Sequence, residues 1–144
     1  MKLRHVIGPV IYGFVNAALC VVLTYAIDFG FKANNSFSWG ALSFVTVSVG
    51  IVGSYINQQV LRGIGLLGRI LSFIASIVIF IIGIIPSAYV ISSIVSKYVT
   101  LDSEDYGAGI LFILVIASYL AGLTIAFVGS VILGLKDKSG LKNV

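Results

Sequence analysis

Charge is what this sequence has least of. Asp, Glu, Lys and Arg make up 10% of its 144 residues, against roughly a quarter in soluble domains. Reactive side chains are as scarce, with one histidine and one cysteine. His5 stands at the start of a long apolar run, so zinc sites, Ser/His dyads and histidine proton relays lack their parts. Cys20 has no partner for an internal disulfide or a CxxC pair, and reads as a small buried side chain. No enzyme chemistry, metal centre or cofactor is expected from such a set.

What fills the chain instead is apolar: 59% hydrophobic residues and a mean hydropathy of +1.14. One small core cannot hide that much surface from water, so the solvent must be lipid. A membrane-crossing helix needs roughly 20 mostly apolar residues. Four stretches without Asp, Glu, Lys, Arg or His meet that length: Val6 to Ile27, Ala33 to Leu61, Ile70 to Ser96 and Tyr106 to Leu135. They are continuous and far longer than the alternating strands of a membrane barrel. A helix satisfies its own backbone polar groups in lipid. The sequence therefore predicts an all-α polytopic bundle, a single domain over 1–144, with spans at about 6–28, 38–58, 70–95 and 107–135. The opening MKLRH and its apolar run resemble a signal peptide. The run continues uncharged through Ile27, and AALC at Ala17 to Cys20 has Leu where a lipoprotein cleavage site needs a small residue, so it is read as the first span.

The net charge of +4 does not point to nucleic acid once the charges are sorted by side. Lys2, Arg4, Arg62, Arg69, Lys136, Lys138 and Lys142 fall on one side with a single acid, Asp137. Lys32 and Lys97 fall on the other with Asp28, Asp102, Glu104 and Asp105. That is the positive-inside pattern, which places both termini in the cytoplasm of a cell with an inner membrane. Arg62 and Arg69 are then topology markers that also meet anionic lipid headgroups, with Gly63, Gly65 and Gly68 making the turn. Asn34-Asn35-Ser36 matches a glycosylation acceptor but sits too close to the membrane to carry a glycan. The acidic run 102–105 reads as a solvated loop.

Tyr25, Trp39, Tyr98 and Tyr106 are expected at the outer interface, and Tyr12 and Tyr55 at the inner one. Pro9 is expected in the first turn of its helix, where a missing N–H costs little. Pro86 lies deep in the third span and removes the hydrogen bond to the Ile82 carbonyl, which predicts a kink.

Familiar four-helix transporters do not fit. Small multidrug exporters need a carboxylate in the first span, where this chain has Asn16. VGSY at Val52 to Tyr55 resembles part of the second helix of fluoride channels, over those four residues alone. The asparagine and the Thr/Phe-rich third-helix motif of that family are absent, so nothing about function is carried over.

Two constellations remain. The first is a code of small residues: Ser118, Gly122, Ala126, Ser130 and Gly134 recur every fourth residue, as do Thr46, Gly50 and Ser54, with Ser72, Ser76, Gly83 and Ser87 continuing it in the third span. Such stripes let helix backbones approach closely. They serve either the protein's own bundle or, above all for the fourth span, a second copy or another membrane protein. The second constellation is polar. Asn16, Thr46, Ser48 and Tyr119 fall near the bilayer midplane, with Ser87 and Tyr89 a little outward. They line a small-solute path if they converge, and otherwise bond one another across helices. The expected function is intramembrane recognition of another membrane protein, as a complex subunit or as an immunity or exclusion factor against a membrane-active toxin or invading element. The alternative is a small oligomeric channel or transporter for an ion or neutral solute.

Overall fold

The computed structural model describes residues 3–34, 39–98 and 106–140, with side chains described for 3, 5–30, 39–98 and 109–135. The sequon at Asn34 to Ser36, the acids of 102–105, Tyr106, and the basic residues Lys2, Arg4, Lys32, Lys136, Lys138 and Lys142 lie outside the described side chains. Four helices account for nearly all the rest: α1 Arg4–Asn34, α2 Trp39–Val60, α3 Leu66–Val95 and α4 Tyr106–Gly140. Each is long and apolar enough to cross a membrane, with mean hydropathy from 1.5 in α2 to 2.6 in α3. By that measure the chain is a multi-pass membrane protein. α2 is the least apolar because it spends many positions on Gly, Ser and Thr. Large apolar side chains such as Phe44, Ile85 and Ile113 point outward, as lipid rather than water requires.

Close approaches give the topology. Gly13 abuts Ser76 and Gly83 abuts Ala17, so α1 and α3 run parallel. Gly50 meets Ile125, Gly53 meets Ala126 and Gly129 meets Ser54, so α2 and α4 also run parallel. Gly8 against Val60, and Tyr12 against Gly53, set α1 antiparallel to α2. The two parallel pairs are the extensively packed ones. Around the bundle the order is α1, α3, α4, α2. α1 and α4 touch across one diagonal, whereas α2 and α3, neighbours in sequence, do not pack backbone to backbone among the described residues.

The apolar core fills the half of the bundle remote from the α2–α3 turn. Ala17, Cys20, Leu42, Phe80, Leu111, Val115, Tyr119 and Leu123 meet there, with the Phe80 and Tyr119 rings stacked at 6.0 Å. Polar side chains, namely Gln58, Arg69, Ser72, Ser76 and Ser130, are buried in the other half.

Three local expectations change. α1 starts at Arg4, two residues before the predicted span, so Pro9 lies in its second turn. α3 starts at Leu66 rather than residue 70, with Pro86 inside it. Gly68 is therefore helical and Arg69 belongs to the helix. Of the turn glycines, Gly63 alone has a positive φ, 86°, and Gly65 caps α3 in an extended conformation. A Cβ at Gly63 would meet no atom within 4 Å, so Gly63→Ala carries only the conformational penalty. We expect a loss of roughly 1 kcal/mol, read as a lowered unfolding midpoint in mixed detergent micelles.

Candidate functional site

The small-residue stripes of α2 and α4 face each other. A Cβ on Gly122 would lie 2.8 Å from the Val49 Cβ and 3.1 Å from the Thr46 carbonyl oxygen. One on Gly50 would lie 2.6 Å from Ile125. Ala126 and Ser130 are completely buried, and the Thr46 hydroxyl donates to the Ser118 carbonyl across the interface at 3.2 Å. Ser54 bonds back to the Gly50 carbonyl at 2.7 Å, and Gly134 lies beside the Arg69 guanidinium, 3.0 Å from the Cβ position to Nη2. The stripe of α4 is thus covered by α2 within the same chain. Gly53 and Gly129, outside the four-residue repeat, make approaches at least as close: a Cβ on Gly53 would collide with the Tyr12 hydroxyl, and one on Gly129 with the Ser54 hydroxyl. A fixed spacing of four misses them because the contact line drifts around a helix of 3.6 residues per turn.

α1 and α2 touch far less than the parallel pairs do, and a cleft of about 340 Å³ opens between them. Val15, Leu19, Phe44, Val52 and Ile56 form its walls, while Tyr12, Asn16, Ser48 and Tyr119 add polar groups. Asn16 is 5% and Tyr119 4% exposed, so both are turned into the bundle rather than toward lipid. Asn16 Nδ2 donates to the Tyr12 carbonyl of its own helix at 2.7 Å. The Tyr12 hydroxyl donates to the Val49 carbonyl at 3.3 Å, which takes Tyr12 out of the interfacial belt the sequence suggested.

Other members of the polar set lie elsewhere. Thr46 belongs to the α2–α4 interface. Ser87 is buried, with an Oγ that has no hydrogen-bond partner. Tyr89 is 77% exposed and faces away from the bundle. The structure therefore brings Asn16, Ser48 and Tyr119 to one cleft and leaves the remaining three outside it.

Arg69 departs furthest from expectation. Only 7% exposed, it is an interior side chain and not a headgroup contact. Its Nη1 donates to Gln58 Oε1 at 2.9 Å and to the Ser130 carbonyl at 3.0 Å, tying α3 to α2 and α4 at one end of the bundle. Sequence reasoning missed this because it placed residue 69 in a loop. The available signal was Gln58, an amide eleven residues earlier at the end of an apolar run. Arg62, by contrast, is exposed. Among the described residues, no group of three or more His, Cys, Asp or Glu comes together that could hold a metal ion.

Compared with protein-family models, curated proteins and solved structures, the chain matches none of them.

Proposed function

We propose that this chain is an inner-membrane protein, with both termini cytoplasmic, that recognises a helix of another membrane protein in the α1–α2 cleft. The carrying observation is the cleft itself: about 340 Å³, walled mostly by apolar side chains, between the least packed pair of adjacent antiparallel helices. Its open surface is almost wholly apolar, with Asn16, Ser48 and Tyr119 among the residues behind it. Apolar walls suit helix recognition in lipid, where close van der Waals packing supplies affinity. The covered stripe of α4 is not available for that work, so the recognition surface shifts to α1 and α2.

The test is an affinity capture in mild detergent comparing three chains. Val52 lies in the cleft wall and faces outward, so Val52→Trp fills the cleft without entering the core. Ile81→Trp places the same bulk on an outward-facing position of α3. We expect a partner held by the native chain and by Ile81→Trp and lost with Val52→Trp, all three having the same thermal stability. Equal capture by all three overturns the reading. The identity of the captured protein then decides between a subunit of a larger complex and an immunity or exclusion factor.

A second reading, a small oligomeric channel or transporter for an ion or neutral solute, is favoured by the convergence of Asn16, Ser48 and Tyr119 on one cleft. Solute flux into liposomes that is abolished by Asn16→Leu would establish it in place of the first.

A further inference from the structure

Three cavities of the bundle share lining side chains in sequence. The first, about 80 Å³, lies at the bundle end beside the α2–α3 turn, with Ile64, Leu66, Arg69 and Gly134 in its wall. The second, about 10 Å³, lies further in and is lined by Asn57, Ser72 and Ser76 together with Arg69 and Tyr12. The third is the α1–α2 cleft. Arg69 belongs to the walls of the first two, and Tyr12 to the walls of the last two. We propose that the first two form an inlet that admits water and water-sized hydrogen-bonding solutes from the Arg69 end of the bundle as far as Tyr12, which closes it from the cleft.

The distribution of polarity carries this. A bundle selected for stability in lipid would fill its centre with apolar side chains, because polar groups at depth are expensive. The far half of this bundle is mostly apolar, with Asn16 and Ser87 as its buried polar side chains among the described residues. The near half sets an amide, two serine hydroxyls, a phenol and a guanidinium among the apolar side chains of its inner cavity; the serine hydroxyls donate to backbone carbonyls and keep their oxygens as acceptors. The volume of the inner cavity is near the 10–15 Å³ that one water needs, and such a water requires two to four polar partners.

Arg69 and Tyr12 bound the inlet at its two ends. Arg69 Nη1 makes bonds of 2.9 and 3.0 Å to two other helices, so the outer wall is fixed. Tyr12 donates from its hydroxyl to the Val49 carbonyl at 3.3 Å, longer than the usual range for a hydroxyl donor, and is also hydrogen-bonded with the Asn16 side chain. Its hydroxyl lies against Gly53, where any side chain would displace it. Tyr12 lines both the inner cavity and the cleft, so it stands between the inlet and the cleft whatever occupies the cleft.

Silver ion is a water-borne probe small enough for this passage, and it blocks thiols against later labelling. In a Cys20→Ala background, single cysteines are placed at Ser76 in the inner cavity, at Ser48 in the cleft, and at Ile74, which faces outward between Ser72 and Ser76 in sequence. Open membrane fragments are treated with silver ion, quenched, denatured and labelled with a fluorescent maleimide. We expect Ser76→Cys to lose most of its label and Ile74→Cys to keep it. Ser48→Cys keeps its label with Tyr12 present and loses it on addition of Tyr12→Ala. Ser72→Cys reads the same cavity if Ser76→Cys does not fold. Full labelling of the inner-cavity cysteine, equal to that of Ile74→Cys, overturns the inlet. Loss of label at Ser48→Cys with Tyr12 intact overturns the closure by Tyr12.

Discussion

Gly122→Leu is expected to separate α2 from α4 and to be among the most damaging single substitutions in the chain. A Cβ there would stand 2.8 Å from the Val49 Cβ and 3.1 Å from the Thr46 carbonyl, and the second neighbour is backbone that cannot rotate away. Overpacking a core that can adjust costs about 1–3 kcal/mol. Here the two helices must move apart, which also breaks the Thr46–Ser118 bond, so the effect should reach at least the top of that range. Gly109 on the same helix provides the control, since a Cβ there meets no atom within 4 Å. Gly109→Leu should leave the unfolding midpoint in mixed detergent micelles nearly unchanged, while Gly122→Leu lowers it sharply or prevents folding. Equal effects at the two positions would mean that the α2–α4 contact is not the one described. Because the stripe is internal, Gly122→Leu with Ala126→Leu reads the fold, and loss of a partner in that variant would not locate a recognition surface.

The second large effect concerns Arg69 and depends on which side of the bond is removed. Gln58→Leu takes away an uncharged acceptor and leaves a guanidinium at a site that is 7% exposed. Hydrogen bonds to charged groups contribute about 1.5–3 kcal/mol, so a loss of about 2 kcal/mol is expected. Arg69→Met removes the charge together with its desolvation cost and fills much of the same volume. Replacing buried ionic groups by well-packed apolar ones is often close to neutral. The expected order of stability is therefore native, then Arg69→Met, then Gln58→Leu. The double variant should recover part of what Gln58→Leu loses, which a double-mutant cycle measures directly. A larger loss for Arg69→Met than for Gln58→Leu would show that the Arg69 clasp is a net stabiliser of the bundle end rather than a charge accommodated there.

How far the site was legible depends on whether a signal is local. Asn16 and Tyr119 could be placed at depth by counting from the span ends, yet Tyr89, equally polar and in a comparable position, faces outward. Nothing in an all-round apolar helix says which way a given residue turns. Hydrophobic periodicity reports the core face of a helix in water, and in lipid both faces are apolar. Gly53 and Gly129 were passed over for the related reason that a four-residue stripe approximates a contact line that the helix itself rotates. Arg69 was misjudged because an arginine between two apolar runs has the local appearance of a loop, and only its meeting with Gln58 and the Ser130 carbonyl makes a helical, buried position tolerable.

The class of object is legible from the residues alone: an all-helical chain with four helices apolar enough to cross a membrane. It is so because span length and the scarcity of charge are properties of single segments, set by the thickness and polarity of a bilayer. Tertiary structure decided which helices are neighbours. The two dominant contacts join α1 to α3 and α2 to α4, skipping the helix between, because glycines and serines on those faces admit backbone approach that Ile and Leu elsewhere forbid. From that pairing follow the covering of the α4 stripe, the open side between α1 and α2, and the inward turn of Tyr12 and Arg69. Each is a relation between residues tens of positions apart, and no single segment contains the free energy that selects it.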